Sequence, residues 1–127
     1  MTREIKFKMW HKKSKKMYKV EKLDIRDKFV YMWNYLNYSL SYFSLDEVEL
    51  MQCVGLKDRN GTDIYEGDIL DYDGELWEVQ YSIDDGMFVL YYDHVTENFS
   101  NMNSKWFDVI GNIYEDSDLL EVGEENE

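Results

Sequence analysis

Leu70-Asp71-Tyr72-Asp73-Gly74-Glu75-Leu76-Trp77-Glu78-Val79 is the stretch whose reading decides the fold class. Asp-Gly tolerates the positive φ angles of a two-residue type I′ turn, so the dipeptide at 73–74 predicts a tight β-hairpin. With a two-residue loop, Tyr72 faces Glu75 and Leu70 faces Trp77. Leu70, Tyr72, Trp77 and Val79 then share one face, which is the core side of the sheet. On either side, Asn60-Gly61 and Asp84-Asp85-Gly86 repeat the turn chemistry, and three hairpin turns in succession predict a meander. Met87–Tyr92 is apolar or aromatic at every position, as in a strand covered on both faces or lying at an interface. The segment from Trp106 to Tyr114 supplies a last strand, in which Gly111 marks a bend or bulge. A sheet of at least five strands is expected. Asp116-Ser117-Asp118-Leu119-Leu120 can start a short helix because Asp or Ser caps free backbone amides, and 123–127 has no apolar anchor and is expected to fray.

At the other end, Ile5, Phe7 and Met9 alternate with Lys6 and Lys8, the period-two pattern of a half-buried strand ending at Trp10. His11-Lys12-Lys13-Ser14-Lys15-Lys16 is polar turn material, and Met17 to Val20 returns as the second strand of a basic hairpin. Lysines on such a tip guard against edge-to-edge aggregation. They could also touch phosphates. The stretch from Phe29 to Phe43 is ambiguous: Tyr31, Trp33 and Tyr35 fit a strand, whereas Leu36, Leu40 and Phe43 fit a helix. Its aromatic density suits a core or an interface. On the interface reading Trp33, Tyr35, Tyr38 and Tyr42 are the partner-binding anchors, because rigid aromatic bodies with polar tips contact a partner at low entropic cost.

The 127-residue length fits one domain, with 29–48 as an aromatic-rich insertion. The single Cys53 cannot form an internal disulfide and points to a reducing compartment. No continuous apolar run reads as a signal peptide or a membrane span. Charge is segregated: residues 1–28 hold 11 Lys/Arg against 4 Asp/Glu, the rest hold 3 against 23, and the net is −13. The surplus acid serves solubility, or it steers a basic partner or imitates a nucleic-acid backbone.

Catalytic and metal motifs are missing. His11, His94 and Cys53 have no metal-ligand spacing, and in Asp58-Arg59-Asn60-Gly61 the glycine comes too early for a calcium loop. No phosphate-binding glycine loop or nucleophile elbow occurs. Neither a cofactor nor enzyme activity is expected.

The segment Met51-Gln52-Cys53-Val54-Gly55-Leu56-Lys57-Asp58-Arg59-Asn60-Gly61-Thr62-Asp63-Ile64-Tyr65-Glu66-Gly67-Asp68-Ile69-Leu70 is more specific. It resembles the signature of the YopX family of bacteriophage and prophage proteins: a Met-Gln, a Thr-Gly-Leu variant, a Lys-Asp-x-Asn-Gly turn and an Ile-Tyr-Glu-Gly-Asp run. Val54 stands in place of the usual threonine. The resemblance extends to Ile5 to Trp10, Lys16-Met17-Tyr18, Val109 to Glu115 and Leu119-Leu120. Asp116-Ser117 departs from the Asn-Pro of the family. Physically, Asn60-Gly61 turns the chain, and Gly67-Asp68 makes a second turn whose carboxylate can accept backbone amides before Ile69-Leu70 enters the sheet. The resemblance implies a mainly β fold, a small SH3-like partly open barrel with an N-terminal hairpin and short helical segments. It assigns no biochemical activity. The expectation is a phage accessory protein of the bacterial host cytoplasm, binding a host or phage protein and open to homo-oligomerisation, with direct nucleic-acid binding disfavoured by the acidity. The alternative is an acidic nucleic-acid mimic that inhibits a host DNA-binding or defence protein.

Overall fold

The computed structural model describes residues 4–120, so the 123–127 tail lies outside the described residues. The chain is mainly β. Among the described residues twelve strands run in the order β1 (Phe7–His11), β2 (Lys16–Lys19), β3 (Lys22–Asp24), β4 (Phe29–Asn34), β5 (Ser39–Ser44), β6 (Val48–Lys57), β7 (Asp63–Tyr65), β8 (Asp68–Tyr72), β9 (Glu75–Ser82), β10 (Met87–Tyr92), β11 (Val95–Asn98) and β12 (Asp108–Asn112). Single 3-10 turns occur at Leu45–Glu47 and Ser104–Trp106, and the chain turns helical at 118–120. Among the described residues no helix is long and apolar enough to cross a membrane.

Two compact units divide at Gln52/Cys53. In the first, β2, β1 and the first half of β6 pair in that order, and β3, β4 and β5 form a separate three-stranded sheet. Met9, Val30 and Val48 are its buried centre, with Tyr18, Leu23, Met32, Phe43 and Leu50 packed against them. Residues 29–48, set apart in the sequence as an insertion, supply β4, β5 and the turn after them. Two details of the first hairpin differ from expectation. Ile5 is exposed, so only Phe7 and Met9 carry the inward alternation. His11 is not turn material but the last residue of β1, buried and stacked on Phe43 at 4.0 Å between centroids. An imidazole with an apolar ring face can close a strand when its nitrogens find partners; here they are Ser14 at Nδ1 and Glu47 at Nε2.

In the second unit β11, β10, β9, β8 and β12 form a five-stranded antiparallel sheet whose first four members are a meander. Leu70 pairs with Trp77 and Tyr72 with Glu75, and both Asp73 and Gly74 have positive φ, as the two-residue turn demands. Leu70, Trp77 and Val79 join Ile64, Leu90 and Phe107 in the buried core, with Tyr72 packed against it. Gly111 sits where β12 slips register against β8. A Cβ there would meet the Asp116 carboxylate at 2.5 Å, and that carboxylate accepts the Asn112 amide. The bulge therefore needs glycine for space. The turn between β10 and β11, unseen in the sequence, uses Asp93 and His94, both at positive φ. Asp and His reach that region more readily than most residues that carry a Cβ.

The Asn60-Gly61 turn is built differently from expectation. Gly61 alone has positive φ, Gly61 N bonds Asp58 O, and Asp58 N bonds Thr62 O. This is a three-residue loop with glycine at its left-handed position, the G1-bulge form. The side chain of Asp58 selects it: Oδ1 accepts the amides of Asn60 and Thr62, while Oδ2 accepts the amide of Val109 in β12. Burial pushes the Asp58 carboxyl up, but the three amides and Arg59 outweigh it, and its pKa lies below the ordinary value. Asp58→Ala should cost about 3 kcal/mol in urea denaturation, the order expected for a buried charged acceptor whose donors are orphaned. Because the folded pKa is depressed, this stabilisation is present above about pH 4, the unfolded value, and is lost as pH falls through the folded one. The variant should therefore show a flatter acid limb than the native chain.

Candidate functional site

The sequence from Phe29 to Leu45 contains no Asp, Glu, Lys or Arg in a chain that is 32% charged. It folds as the β4–β5 hairpin. Antiparallel alternation sends Val30, Met32 and Phe43 into the core, which leaves Phe29, Tyr31 and Trp33 of β4 on the opposite face with Leu40 and Tyr42 of β5. Tyr31 stands opposite Tyr42 and Trp33 opposite Leu40. Phe29 meets Tyr42 edge-on at 5.3 Å, Tyr31 meets it at 5.7 Å, and Trp33 meets Tyr35 at 6.4 Å. These are favoured aromatic geometries, which hold the rings as an ordered surface. On the neighbouring strand, Lys22 places its ammonium 5.0 Å from the centre of the Tyr31 ring, a weak cation–π contact at this exposure.

The hairpin tip, Tyr35 to Tyr38, contains no glycine. Asn34 Oδ1 accepts the Leu36 amide, Asn37 Oδ1 accepts the Ser39 hydroxyl, and Tyr38 takes positive φ. Asn and Ser side chains thus supply the turn. Tyr35, Leu36 and Tyr38 are left 76%, 95% and 77% exposed, with Tyr42 at 61% and Trp33 at 36%. All four expected anchors lie on this one hairpin, Trp33 and Tyr42 on its outer face and Tyr35 and Tyr38 at its tip. Leu36, Leu40, Phe29 and Tyr31 join them. Their pairing was hidden because the tip lacks the glycine that advertises other turns in the chain.

The remaining polar groups do other work. Asn60 donates from Nδ2 to Asp108, and Arg59 binds the Trp106 carbonyl at 2.6 Å and Asp108 at 3.3 Å. Asp68 accepts the Tyr65 amide, and the Gly67 amide bonds the Val79 carbonyl. Residues of the longest motif therefore latch strands together. Burial raises the pKa of Glu78 in the middle of β9 against a smaller opposing bond from Gln80. Among the described residues no group of three His, Cys, Asp or Glu side chains is placed to hold a metal ion.

Comparison with known proteins bears on the chain as a whole. A family model described as YopX protein matches residues 6–121. Among solved structures, the crystal structure of protein EF1440 from Enterococcus faecalis superposes with a TM-score of 0.68 at 28% identity, covering 94% of this chain and 99% of that one. No curated protein matches the sequence.

If the tip is built for contact and not for stability, replacing Tyr35, Leu36 or Tyr38 by Ser should change unfolding free energy by no more than about 0.5 kcal/mol. Val30→Ala, which hollows the core beneath the same hairpin, should cost about 2 kcal/mol. Chemical denaturation of the four variants decides the point, and a tip substitution as costly as Val30→Ala would make the tip a structural element.

Proposed function

The chain belongs to the YopX protein family, and from that premise we propose that it is a non-enzymatic phage accessory protein that binds a host or phage protein in the bacterial cytoplasm. The observation that carries this reading is the uncharged aromatic hairpin, ordered on its inner face by the core and open on its outer one. Soluble monomers rarely leave contiguous apolar surface of this kind uncovered unless something binds it. Binding energy at interfaces concentrates in a few aromatic anchors. Trp33, Tyr35, Tyr38 and Tyr42 are the anchors proposed here, with Leu36 and Leu40 filling between them.

A second reading is favoured by charge. Residues 53–120 hold 16 Asp/Glu against 3 Lys/Arg, so this part of the chain could occupy a basic groove that normally takes nucleic acid. The two readings respond oppositely to salt. Contact through aromatic rings persists at high ionic strength, whereas mimicry relies on a screened field and weakens steeply.

Affinity capture from bacterial lysate, with mass spectrometry, should recover a partner at both low and high salt. Trp33→Ala combined with Tyr38→Ala should reduce its recovery at least about tenfold with the circular dichroism spectrum unchanged. Unchanged recovery by the folded double variant would sink the aromatic reading, and a partner lost at high salt and displaced by DNA would favour mimicry.

A further inference from the structure

The outer edge of β5, as distinct from the aromatic face beside it, has chemistry of its own. β5 stands at the end of the order β3-β4-β5. The Leu45 amide bonds the Lys28 carbonyl, and alternation along the β4–β5 ladder then turns the amides and carbonyls of Leu40, Tyr42 and Ser44 away from β4. Sheet edges are normally guarded by charge, bulges or short length. The other edge strands have such guards: Lys16 and Lys19 in β2, Lys22 and Asp24 in β3, Asp63 and a length of three residues in β7, Glu97 in the short β11 and the bulge at Gly111 in β12. β5 reads Ser-Leu-Ser-Tyr-Phe-Ser, with no charge and no bulge.

We propose that this edge pairs with the same edge of a second copy of the chain, antiparallel and centred on Tyr42. In that register Tyr42 meets Tyr42 of the other copy and Leu40 meets Ser44, so all three outward residues find backbone partners and like faces stay together. The edge is its own complement in this register, which selects a second copy as occupant, and local charge selects the direction. The nearest acids on the C-terminal side, Asp46 and Glu47, lie just past the end of β5, while its other end leads into the uncharged tip. Antiparallel pairing sets each copy's acids beside the other's neutral tip, whereas parallel pairing would set acids against acids. The result is a six-stranded sheet carrying the aromatic face twice. The proposal does not depend on which protein that face binds.

Six residues of paired edge cover less than the roughly 1,200 Å² of a standard interface, so sedimentation velocity on the full chain should show a monomer–dimer equilibrium with a Kd in the micromolar range or weaker. Because each copy carries a net charge of −13, screening by salt should tighten the dimer severalfold between about 50 and about 500 mM. Leu40→Pro removes an outward amide that the monomer does not use. It should abolish the dimer while the circular dichroism spectrum stays as in the native chain. Should that variant misfold, Tyr42→Cys provides the second measurement: residues facing each other in a hydrogen-bonded pair lie about 5.5 Å apart, so mild oxidation should give a cross-linked dimer. A chain that stays monomeric at about 200 µM in both salts, well above the Kd such an interface would give, overturns the proposal. So does a dimer that survives Leu40→Pro or weakens with salt, or a folded Tyr42→Cys chain that fails to cross-link. A foreign peptide captured by this edge without self-association would replace the second copy as occupant.

Discussion

One buried carboxylate carries the connectivity of the second unit. Asp58 accepts amides from Asn60 and Thr62 in its own turn and from Val109, 51 residues further along the chain. A neutral amide or hydroxyl oxygen has two lone pairs, whereas a carboxylate has two oxygens and about four acceptor sites, enough for all three donors. The consequence spreads outward: with the loop latched to β12, the Arg59 amide bonds the Phe107 carbonyl, and Phe107 lies fully buried against the meander. The same latch explains why Lys57-Asp58-Arg59-Asn60-Gly61 is so conspicuous in sequence without being a site of chemistry. Its polar atoms are occupied in holding strands.

A different constraint governs the first unit. A three-stranded sheet packed on one side can bury only alternate residues, and the β4–β5 hairpin is apolar on both. Val30, Met32 and Phe43 satisfy the core, so the aromatic residues between them have nowhere inward to go. Their exposure follows from pattern, not from loose packing. The Asn and Ser side chains of the tip reinforce this by using their hydrogen-bonding capacity on the turn itself, which leaves the surface between them dominated by rings and by Leu36.

Legibility in the sequence followed turn chemistry closely. Asp73-Gly74 specified its hairpin down to the residue pairs, because a two-residue loop of this composition permits one register. Asn60-Gly61 announced a turn of the wrong type, since a dipeptide cannot reveal that the carboxylate two residues before it captures the backbone first. Phe29 to Phe43 could not be resolved between strand and helix, because its tip is made by Asn34, Asn37 and a left-handed Tyr38 and because apolar residues on both faces erase the period-two signal. The four expected anchors were chosen by residue type alone. What sequence could not supply was that they lie on one hairpin, two on its outer face and two at its tip, and that His11 closes β1 against Phe43 instead of belonging to the lysine turn.

Charge distribution makes an uncharged, exposed hairpin tolerable. A chain with 14 basic and 27 acidic residues repels its own copies at a distance, which suppresses indiscriminate association through a small apolar patch. Short-range contact then succeeds only where the approaching surface offers enough apolar area or backbone pairing to overcome that repulsion. On the binding role proposed above, the acidic background sets a threshold for association and the neutral hairpin provides a place where it can be crossed. On that same proposal, adding charge to the hairpin would improve solubility and weaken the selectivity.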